Sequence, residues 1–401
     1  MRHRSTVLLL LGLTLGLGLT ARNALAAVAA NTRIVNQASL SYNDGTGVQT
    51  LNAAVTVTVN LVPGLATLAA PANQTAPYSG ADTAHIYNYT ITAGGNGPDT
   101  YTLTAPISGA PAPVNTVLND PGSSTPTLST SSVTLGASVT TSGSTATVVN
   151  VPSDGVAGPA VNGIAIGDTI LVSGQVRTVT AITNTGSGIA NITVGAALSP
   201  VPGAGESVFE RQAFTLTTYS GTLVTAGSNV VVSVDTTANN GAGNATDQVT
   251  STYTSGSATL VKYVRNVSVP VGGTGGQNFT IQAVSNTFYT GGVTGKTGDV
   301  LEYLLLATNT GTGPATASTL SDVLPLAYVN FLTDGFGAPA DVLYVNEAAA
   351  ETGLTDTAAD DQATLAGANL MVHVGTGATP VAGGSIAAGS NIKVVYRVTI
   401  K

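Results

Sequence analysis

Apolar and polar residues alternate along much of this chain, and that alternation predicts β-strands separated by tight turns. Clusters of Gly, Asn, Asp and Ser separate the alternating segments. The clearest segments are rich in β-branched residues and lie at 53–61, 169–182, 229–234 and 391–400. One segment, 346–365, is a candidate short helix, although Gly353 interrupts it. Because no helical pattern is long enough for crossovers, we expect an all-β fold of antiparallel sandwiches.

The first 26 residues have a different pattern, which is typical of a secretory signal peptide. Arg2 and Arg4 form a basic start, residues 7–19 are apolar, and 24–26 is a small-residue cleavage site. The apolar run is too short to span a bilayer, and no later stretch approaches that length. We therefore expect an exported protein of the cell surface or envelope, without a membrane span after cleavage.

Three stretches of the chain resemble later ones, which indicates an internal repeat. The pairs are 36–47 with 247–257, 89–103 with 303–320, and 226–234 with 388–396. The offsets are 211 from Tyr42 to Tyr253, 214 from Tyr89 to Tyr303, and 216 from Pro98 to Pro314. The last pair breaks the series, because Gly227 and Gly389 are only 162 residues apart.

We therefore predict two units, each a hairpin followed by an immunoglobulin-like β-sandwich, at 27–240 and 241–401. The shorter last offset places a β-rich insertion at about 136–207 of the first unit. The matched tyrosines Tyr42, Tyr89, Tyr253 and Tyr303 are expected to be core residues rather than sugar-stacking ones.

The segment 297–325 reads TGDVLEYLLLATNTGTGPATASTLSDVLP. Its Gly298-Asp299 pair, Tyr303, the TNTG at 308–311, the GPA at 313–315 and the final Asp322, Leu324 and Pro325 resemble a repeat of bacterial and archaeal surface proteins. That family is known as domain of unknown function 11. The resemblance covers about 297–401, whereas the first unit keeps only the Gly-Pro turn at 94–98. It implies immunoglobulin-like sandwiches in large cell-surface, envelope or adhesive proteins, and it supplies no catalytic residues.

Charge and cysteine content exclude several classes of function. Without Arg2, Arg4 and Arg22, nine basic residues face 20 acidic ones, which argues against nucleic acid and anionic membranes as partners. The absence of cysteine excludes disulfides, thiolate metal sites and a cysteine nucleophile. Only 8% of residues are charged, which is the reverse of a disordered composition.

Two glycine-rich segments partly match phosphate-binding loops. In the first, Gly311 and Gly313 fit a dinucleotide fingerprint, but position 316 is Thr316 and Pro314 lacks an N–H group. In the second, Gly295-Lys296-Thr297 lacks the earlier glycine of a P-loop, because position 290 is Thr290. We therefore expect no nucleotide cofactor.

Other candidate chemistry is sparse, and we predict no catalytic, cofactor-binding or metal-ligating residue. His85 and His373 lie in different units, and no Gly-x-Ser-x-Gly elbow is present. Loss of a measured activity on His373→Ala would revive an enzymatic interpretation. Glu351, Asp356, Asp360 and Asp361 form an acidic segment that calcium would suit, but without ligand spacing.

These patterns favour a non-enzymatic structural component of the cell envelope or surface layer. Its expected partners are other envelope proteins or copies of itself, bound through exposed strand edges and low-charge faces. A sharper hypothesis is that the hairpin at 31–60 adds a strand to another subunit. The alternative is a surface adhesin, or a module that binds a glycan or envelope polymer through the insertion.

Overall fold

The computed structural model of the chain describes residues 28–79, 83–108, 116–117, 126–223 and 226–401. The predicted signal peptide at 1–26 lies outside the described residues. The described residues form strands and no helix, so the all-β prediction is confirmed. The helix candidate at 346–365 is wrong, because this segment forms the short strands Glu351–Leu354 and Ala363–Ala366. Its Gly and Asp residues favour turns over helix.

The first part of the described chain contains a two-stranded arm followed by strands of a first sandwich. The arm consists of β1 (Arg33–Asn43) and β2 (Val48–Thr58) in antiparallel register. The next strands are β3 (Thr67–Ala69), β4 (Gln74–Pro77), β5 (Ala84–Thr92), β6 (Asp99–Thr104), β7 (Ile107–Ser108), β8 (Thr116–Val117), β9 (Thr127–Leu128) and β10 (Ser132–Leu135).

The middle of the chain covers the predicted insertion and the return to the first sandwich. Its strands are β11 (Ala137–Val139), β12 (Val148–Pro152), β13 (Ala157–Gly158), β14 (Ala160–Val161), β15 (Ile164–Ala165), β16 (Thr169–Val172), β17 (Gln175–Thr185), β18 (Ile189–Val194), β19 (Ser207–Tyr219), β20 (Thr222–Leu223), β21 (Val230–Asn240) and β22 (Gly243–Thr254).

The last part of the chain forms a second sandwich. Its strands are β23 (Ala258–Asn266), β24 (Gln277–Ile281), β25 (Val284–Phe288), β26 (Val300–Asn309), β27 (Ala315–Val323), β28 (Val329–Phe331), β29 (Val342–Val345), β30 (Glu351–Leu354), β31 (Ala363–Ala366), β32 (Asn369–His373), β33 (Gly384–Ile386) and β34 (Asn391–Ile400).

The first sandwich packs two sheets around one apolar core. One sheet has the order β10-β6-β21-β22-β4, and the other contains the neighbours β19, β5 and β3. Alternate residues point inward because side chains alternate along a strand. The buried set includes Tyr87, Tyr89, Ile91, Tyr101, Val232, Val234, Val249 and Tyr253.

The insertion has a small core of its own, although β16 also pairs with β19 of the first sandwich. Its fully or nearly fully buried side chains include Val149, Val151, Ile164, Ile170, Ile192 and Leu198. A separate set of mutually packed apolar residues marks a separate packing unit. The β-rich insertion predicted at about 136–207 corresponds to this unit.

The second sandwich packs the sheet β23-β26-β34-β29-β30 against the sheet β31-β32-β27-β33. Its core contains Leu305, Val342, Leu370, Val394 and Tyr396. The hairpin of β24 and β25 places Phe279 and Phe288 in a further apolar cluster with Leu304 and Val395 of β26 and β34. The sheet containing β26 therefore has apolar packing on both of its faces.

The predicted boundary at 240/241 falls inside a hairpin of the first sandwich. β22 pairs with β21 from Gly243 to Tyr253, and its inward residues Val249 and Tyr253 belong to the first core. β23, the next strand, pairs instead with β26 of the second sandwich. The hairpin expected to open the second unit is therefore not formed, since its two strands complete different sandwiches.

The third sequence match does not mark equivalent strands. β21 pairs with β6, which follows the Gly-Pro turn of the first sandwich, whereas β34 pairs with β26, which precedes the turn of the second. In the first sandwich the strand before the Gly-Pro turn is β5, and it pairs with β19 rather than with β21. This difference explains why the offset between the two segments departs from the other offsets.

Candidate functional site

The glycine-rich turn 310–314 of the second sandwich has no unpaired N–H group to offer a phosphate. Pro314 has no N–H group, and the four N–H groups before it all donate within the protein. The hydrogen bonds run from Thr310 N to Ser257 O (2.7 Å), Gly311 N to Asn309 Oδ1 (3.0 Å), Thr312 N to Gly227 O (3.2 Å) and Gly313 N to Ser255 O (2.8 Å). A phosphate site needs such donors directed at the ligand, whereas the donors of this turn are bonded to three backbone carbonyls and to the Asn309 side chain.

The glycines of this turn permit close approach of the segment 254–257, which joins the two sandwiches. A Cβ on Gly313 would lie 2.6 Å from Thr254 Oγ1, and a Cβ on Gly311 would overlap the amide of Ser257. The fully buried Asn309 fixes the same segment, because its Oδ1 accepts a hydrogen bond from Ser257 N (3.1 Å). The turn is therefore a clamp on the chain that enters the second sandwich.

The Gly-Pro turn at 94–98 makes a matching clamp on the chain that enters the first sandwich. Asn96 is buried, and its Oδ1 accepts a hydrogen bond from Val62 N (2.7 Å). Its Nδ2 donates to Val28 O (3.1 Å) and Asn60 O (3.3 Å), so it holds the segments on both sides of the arm. The two turns thus have the same mechanical role, and the first one holds the base of the arm.

The arm has one apolar and one polar face. Residues directly opposite each other in an antiparallel pair share a face. The apolar face consists of the pairs Ile34–Val57, Asn36–Val55, Ala38–Ala53, Leu40–Leu51 and Tyr42–Gln49. The polar face includes the pairs Val35–Thr56, Gln37–Ala54, Ser39–Asn52 and Ser41–Thr50.

The described chain does not cover the apolar face. Every residue of β1 and β2 is exposed, and Leu40 and Leu51 keep 59% and 57% of their surface accessible. A lone two-stranded hairpin is at best marginally stable in water. Contiguous exposed apolar patches commonly mark interaction sites. The apolar face is therefore the candidate interaction site of this protein.

β22 shows how the same residue pattern behaves when it is covered. The sequence offset of 211 between Tyr42 and Tyr253 aligns Val249, Ser251 and Tyr253 of β22 with the arm positions 38, 40 and 42. These three β22 residues are buried in the first sandwich. Tyr253 and Tyr89 are fully buried and Tyr303 is partly buried, whereas Tyr42 is 44% exposed. The prediction of a core position for Tyr42 is thus wrong within the single chain.

The two histidines lie in different sandwiches and are not brought together. His85 is buried against the ring of Tyr253, with 4.6 Å between ring centroids, and neither of its ring nitrogens has a hydrogen-bond partner among the residues that the structure describes. Burial lowers the pKa of His85. His373 is partly buried on β32, and its Nδ1 lies 3.0 Å from Thr319 Oγ1. The described residues give neither ring a carboxylate hydrogen-bond partner of the kind that orients a catalytic base.

The acidic residues at 356–361 hold their own loop together. Asp361 accepts hydrogen bonds from Thr355 N (2.7 Å) and Ala363 N (2.8 Å), and Asp360 accepts one from Thr355 Oγ1 (2.7 Å). Burial, with the nearby Asp341 carboxylate, raises the pKa of Asp356. Over the described parts of the chain, no group of three or more His, Cys, Asp or Glu side chains is arranged to hold a metal ion.

The Gly295-Lys296-Thr297 segment forms a turn closed by a carboxylate. Asp299 Oδ2 accepts hydrogen bonds from Lys296 N (3.0 Å) and Asn266 Nδ2 (3.0 Å). The Lys296 hydrogen bond, followed by that from Asn266, lowers the pKa of Asp299. β26 begins at Val300, so a strand rather than a helix N-terminus follows the turn.

A buried ion triad in the second sandwich was not predicted from the sequence. Glu302 is fully buried, with Arg265 Nε 2.7 Å from Oε1 and Arg397 Nε 2.6 Å from Oε2. The arginines lie over the rings of Phe288 and Phe336, respectively. The only sign of this triad in the sequence is that a charged residue stands within each of three apolar strands, at Arg265, Glu302 and Arg397. The triad links β23, β26 and β34. Its carboxylate is fully enclosed, while the side chains of Arg265 and Arg397 keep 18% and 21% of their surface accessible.

The arm base and the insertion enclose a cleft of about 360 Å³. The arm contributes Thr32, Arg33 and Val35, and the insertion contributes Pro152, Ser153, Gly155, Gly186, Ser187 and Gly188. The cleft lining contains no aromatic side chain. Sugar recognition by ring stacking therefore has no platform among these residues.

Neither protein-family models nor curated proteins give a match to this chain. Kinship with domain of unknown function 11 and the immunoglobulin-like detail of the sandwiches therefore remain predictions. Among the residues that the structure describes, no helix is long and apolar enough to cross a membrane.

Proposed function

We propose that this chain is a non-enzymatic structural component of the bacterial cell envelope or surface layer. It acts through protein-protein interfaces of its β-sandwich units and its arm. The uncovered apolar face of the arm carries the proposal, because it pairs Leu40 with Leu51 and Ile34 with Val57, and each of the four residues keeps 49–59% of its surface accessible. Burial of such a face in a partner is favourable by about 25 cal/mol for each Å² removed from water.

Three further observations support this role. The signal-peptide pattern at 1–26 directs the chain to the envelope or beyond it. Both Gly-Pro turns use their polar groups to hold entering chain segments rather than to present them to a ligand. The resemblance of 297–401 to repeats of surface proteins points to the same location.

Immunogold electron microscopy and envelope fractionation of the producing cells test the proposal. The full-length protein should decorate the envelope and remain in the envelope fraction after washing. A variant that lacks 33–58 should be exported, fold, and be found mainly in the medium. Recovery of the full-length protein mainly in the cytoplasm or medium would contradict the proposal. Equal envelope retention of the two proteins would exclude the arm as its basis.

The cleft at the arm base favours one second candidate, a module that binds a glycan or envelope polymer. Ser187→Arg would fill this cleft from an exposed loop, and Thr183→Arg adds the same charge on β17 outside the cleft lining. Binding on a glycan and envelope-polymer array that is lost only with Ser187→Arg would support this candidate. Absence of binding, or equal binding by both variants, would remove it.

A further inference from the structure

We infer that the arm docks on a second copy of this chain, where β1 completes the second sandwich as β22 completes the first. The inference rests on the proposed function, because assembly through sandwich units is the proposed mode of action.

The sequence register between the two strands carries the inference. β22 directs Val249, Ser251 and Tyr253 into the first core and leaves the intervening residues less buried. The equivalent arm positions are Ala38, Leu40 and Tyr42, and all three lie on the apolar face. A one-residue shift would put the polar face inward, so agreement of the faces is informative.

The strands on either side of β22 show how both strands of the arm could fit at the equivalent edge of a second sandwich. β22 lies between β21, which is antiparallel to it, and the outer strand β4, which is parallel to it. The arm matches this arrangement in strand position, although β2 is antiparallel to β1. β1 would take the position of β22, and β2 would take the outer position. Leu51, Ala53 and Val55 of β2 share the apolar face, so they would be covered together with β1.

The charge distribution of the arm also suits strand addition. Natural edge strands are commonly protected from pairing by charged residues or proline. Between 33 and 58, the charged residues are Arg33 at the start of β1 and Asp44 in the turn, and proline is absent. The paired parts of both strands can therefore enter an apolar site without an unpaired charge.

The second sandwich offers a shorter sheet at the matching place. In the first sandwich the sheet continues from β6 through β21 to β22, whereas in the second it ends at β33 beside β27. β33 has three residues, and on its outer side Ser385 bonds Thr376 in both directions, from Thr376 N to Ser385 O (2.8 Å) and from Ser385 N to Thr376 O (3.0 Å). An entering β1 would replace this single short bridge. Val381 in the adjoining turn is 80% exposed. We place the docked arm along this edge.

The first sandwich of every copy already contains its own β22, so the arm of one copy is left to pair with the second sandwich of the next. An interface between two different surfaces of the same chain is heterologous, and it repeats from copy to copy. It forms rings when the rotation closes and filaments when it does not.

Association of the purified chain from residue 27 onward tests the inference, with matched variants on the two faces of the arm. Analytical ultracentrifugation should show concentration-dependent oligomers for the unmodified chain. Leu40→Asp should weaken association by roughly 100-fold in Kd, because it buries a charge in an apolar contact. Ser39→Asp, on the polar face of the same strand, should change Kd by less than about threefold.

Cysteine cross-linking then identifies the acceptor, since the natural chain has no cysteine. Tyr42→Cys in one copy and Val381→Cys in another should form an intermolecular disulfide, and Val176→Cys on the insertion should not. A purified protein that stays monomeric would overturn the second copy as partner. If a different envelope protein binds the arm instead, this chain is still retained in the envelope and the proposed function stands. Oligomers linked only through Tyr42→Cys pairs would overturn the second sandwich as acceptor.

Discussion

β1 and β22 share a residue pattern, but one is exposed along its whole length and the other is half buried. Tyr253 is fully enclosed in the first sandwich, whereas Tyr42, its counterpart, is 44% exposed. The difference lies in the partner strands, because β22 pairs with β21 and β4, while within the described part of the chain β1 pairs with β2 alone. An apolar alternation therefore specifies a face to be covered, and the cover can come from outside the chain.

Tyrosine truncation on the two strands gives the largest expected contrast. Tyr253 donates a hydrogen bond to Thr218 O (3.1 Å) and stacks on His85. Tyr253→Ala should therefore lower the free energy of unfolding by about 3–5 kcal/mol through cavity formation. Tyr42→Ala should change it by less than about 0.5 kcal/mol in the dilute monomer. Urea unfolding followed by circular dichroism measures both, and equal losses would refute the contrast between the strands.

The pH dependence of stability should separate the first sandwich from the arm. Burial raises the pKa of Glu210 on β19 to about 7 from 4.5, with Asp168 adding to the rise and the Gly136 N–H group opposing it. The folded state then holds this proton more tightly than the unfolded state. Its contribution to stability is complete below about pH 4.5 and is lost as the pH rises through about 7.

Glu210→Gln should flatten this pH dependence, which we expect to be roughly 2–3 kcal/mol between pH 4.5 and 7.5. Arm-dependent association should stay constant over the same range, since Arg33 and Asp44 are the charged residues of the arm. Urea unfolding and sedimentation at several pH values provide the two measurements. A wild-type slope that survives Glu210→Gln would assign the effect to another group.

The two asparagine clamps should have smaller and more local effects. Asn309→Ala and Asn96→Ala each remove several buried hydrogen bonds. Each should lower the free energy of unfolding by about 1–3 kcal/mol, because buried polar groups are left without a partner. Asn96→Ala should speed limited proteolysis at 59–64, where the arm base is held, and Asn309→Ala should speed it at 254–257. Cleavage at the same place in both variants would contradict separate clamps.

Sequence reasoning recovered the strands and the Gly-Pro turns, because alternation and turn residues are local signals. It misplaced β22 because a repeat match reports likeness and not pairing partners. The third match was likewise misread, since β21 and β34 have similar residues but different neighbours. The triad at Glu302 depends on arginines 37 and 95 residues away, and their side-chain meeting has no local signature.

The central claim is that the apolar face of the arm is buried in the assembled protein. Thiol labelling of Leu40→Cys and Ser39→Cys variants, in native envelope material and in dilute monomer, tests it most directly. In the dilute monomer both thiols should react at similar rates. In envelope material the Leu40→Cys thiol should react at least about 10-fold more slowly, while the Ser39→Cys thiol should stay within about threefold of its monomer rate. Equal reactivity of the two thiols in the envelope would contradict the account.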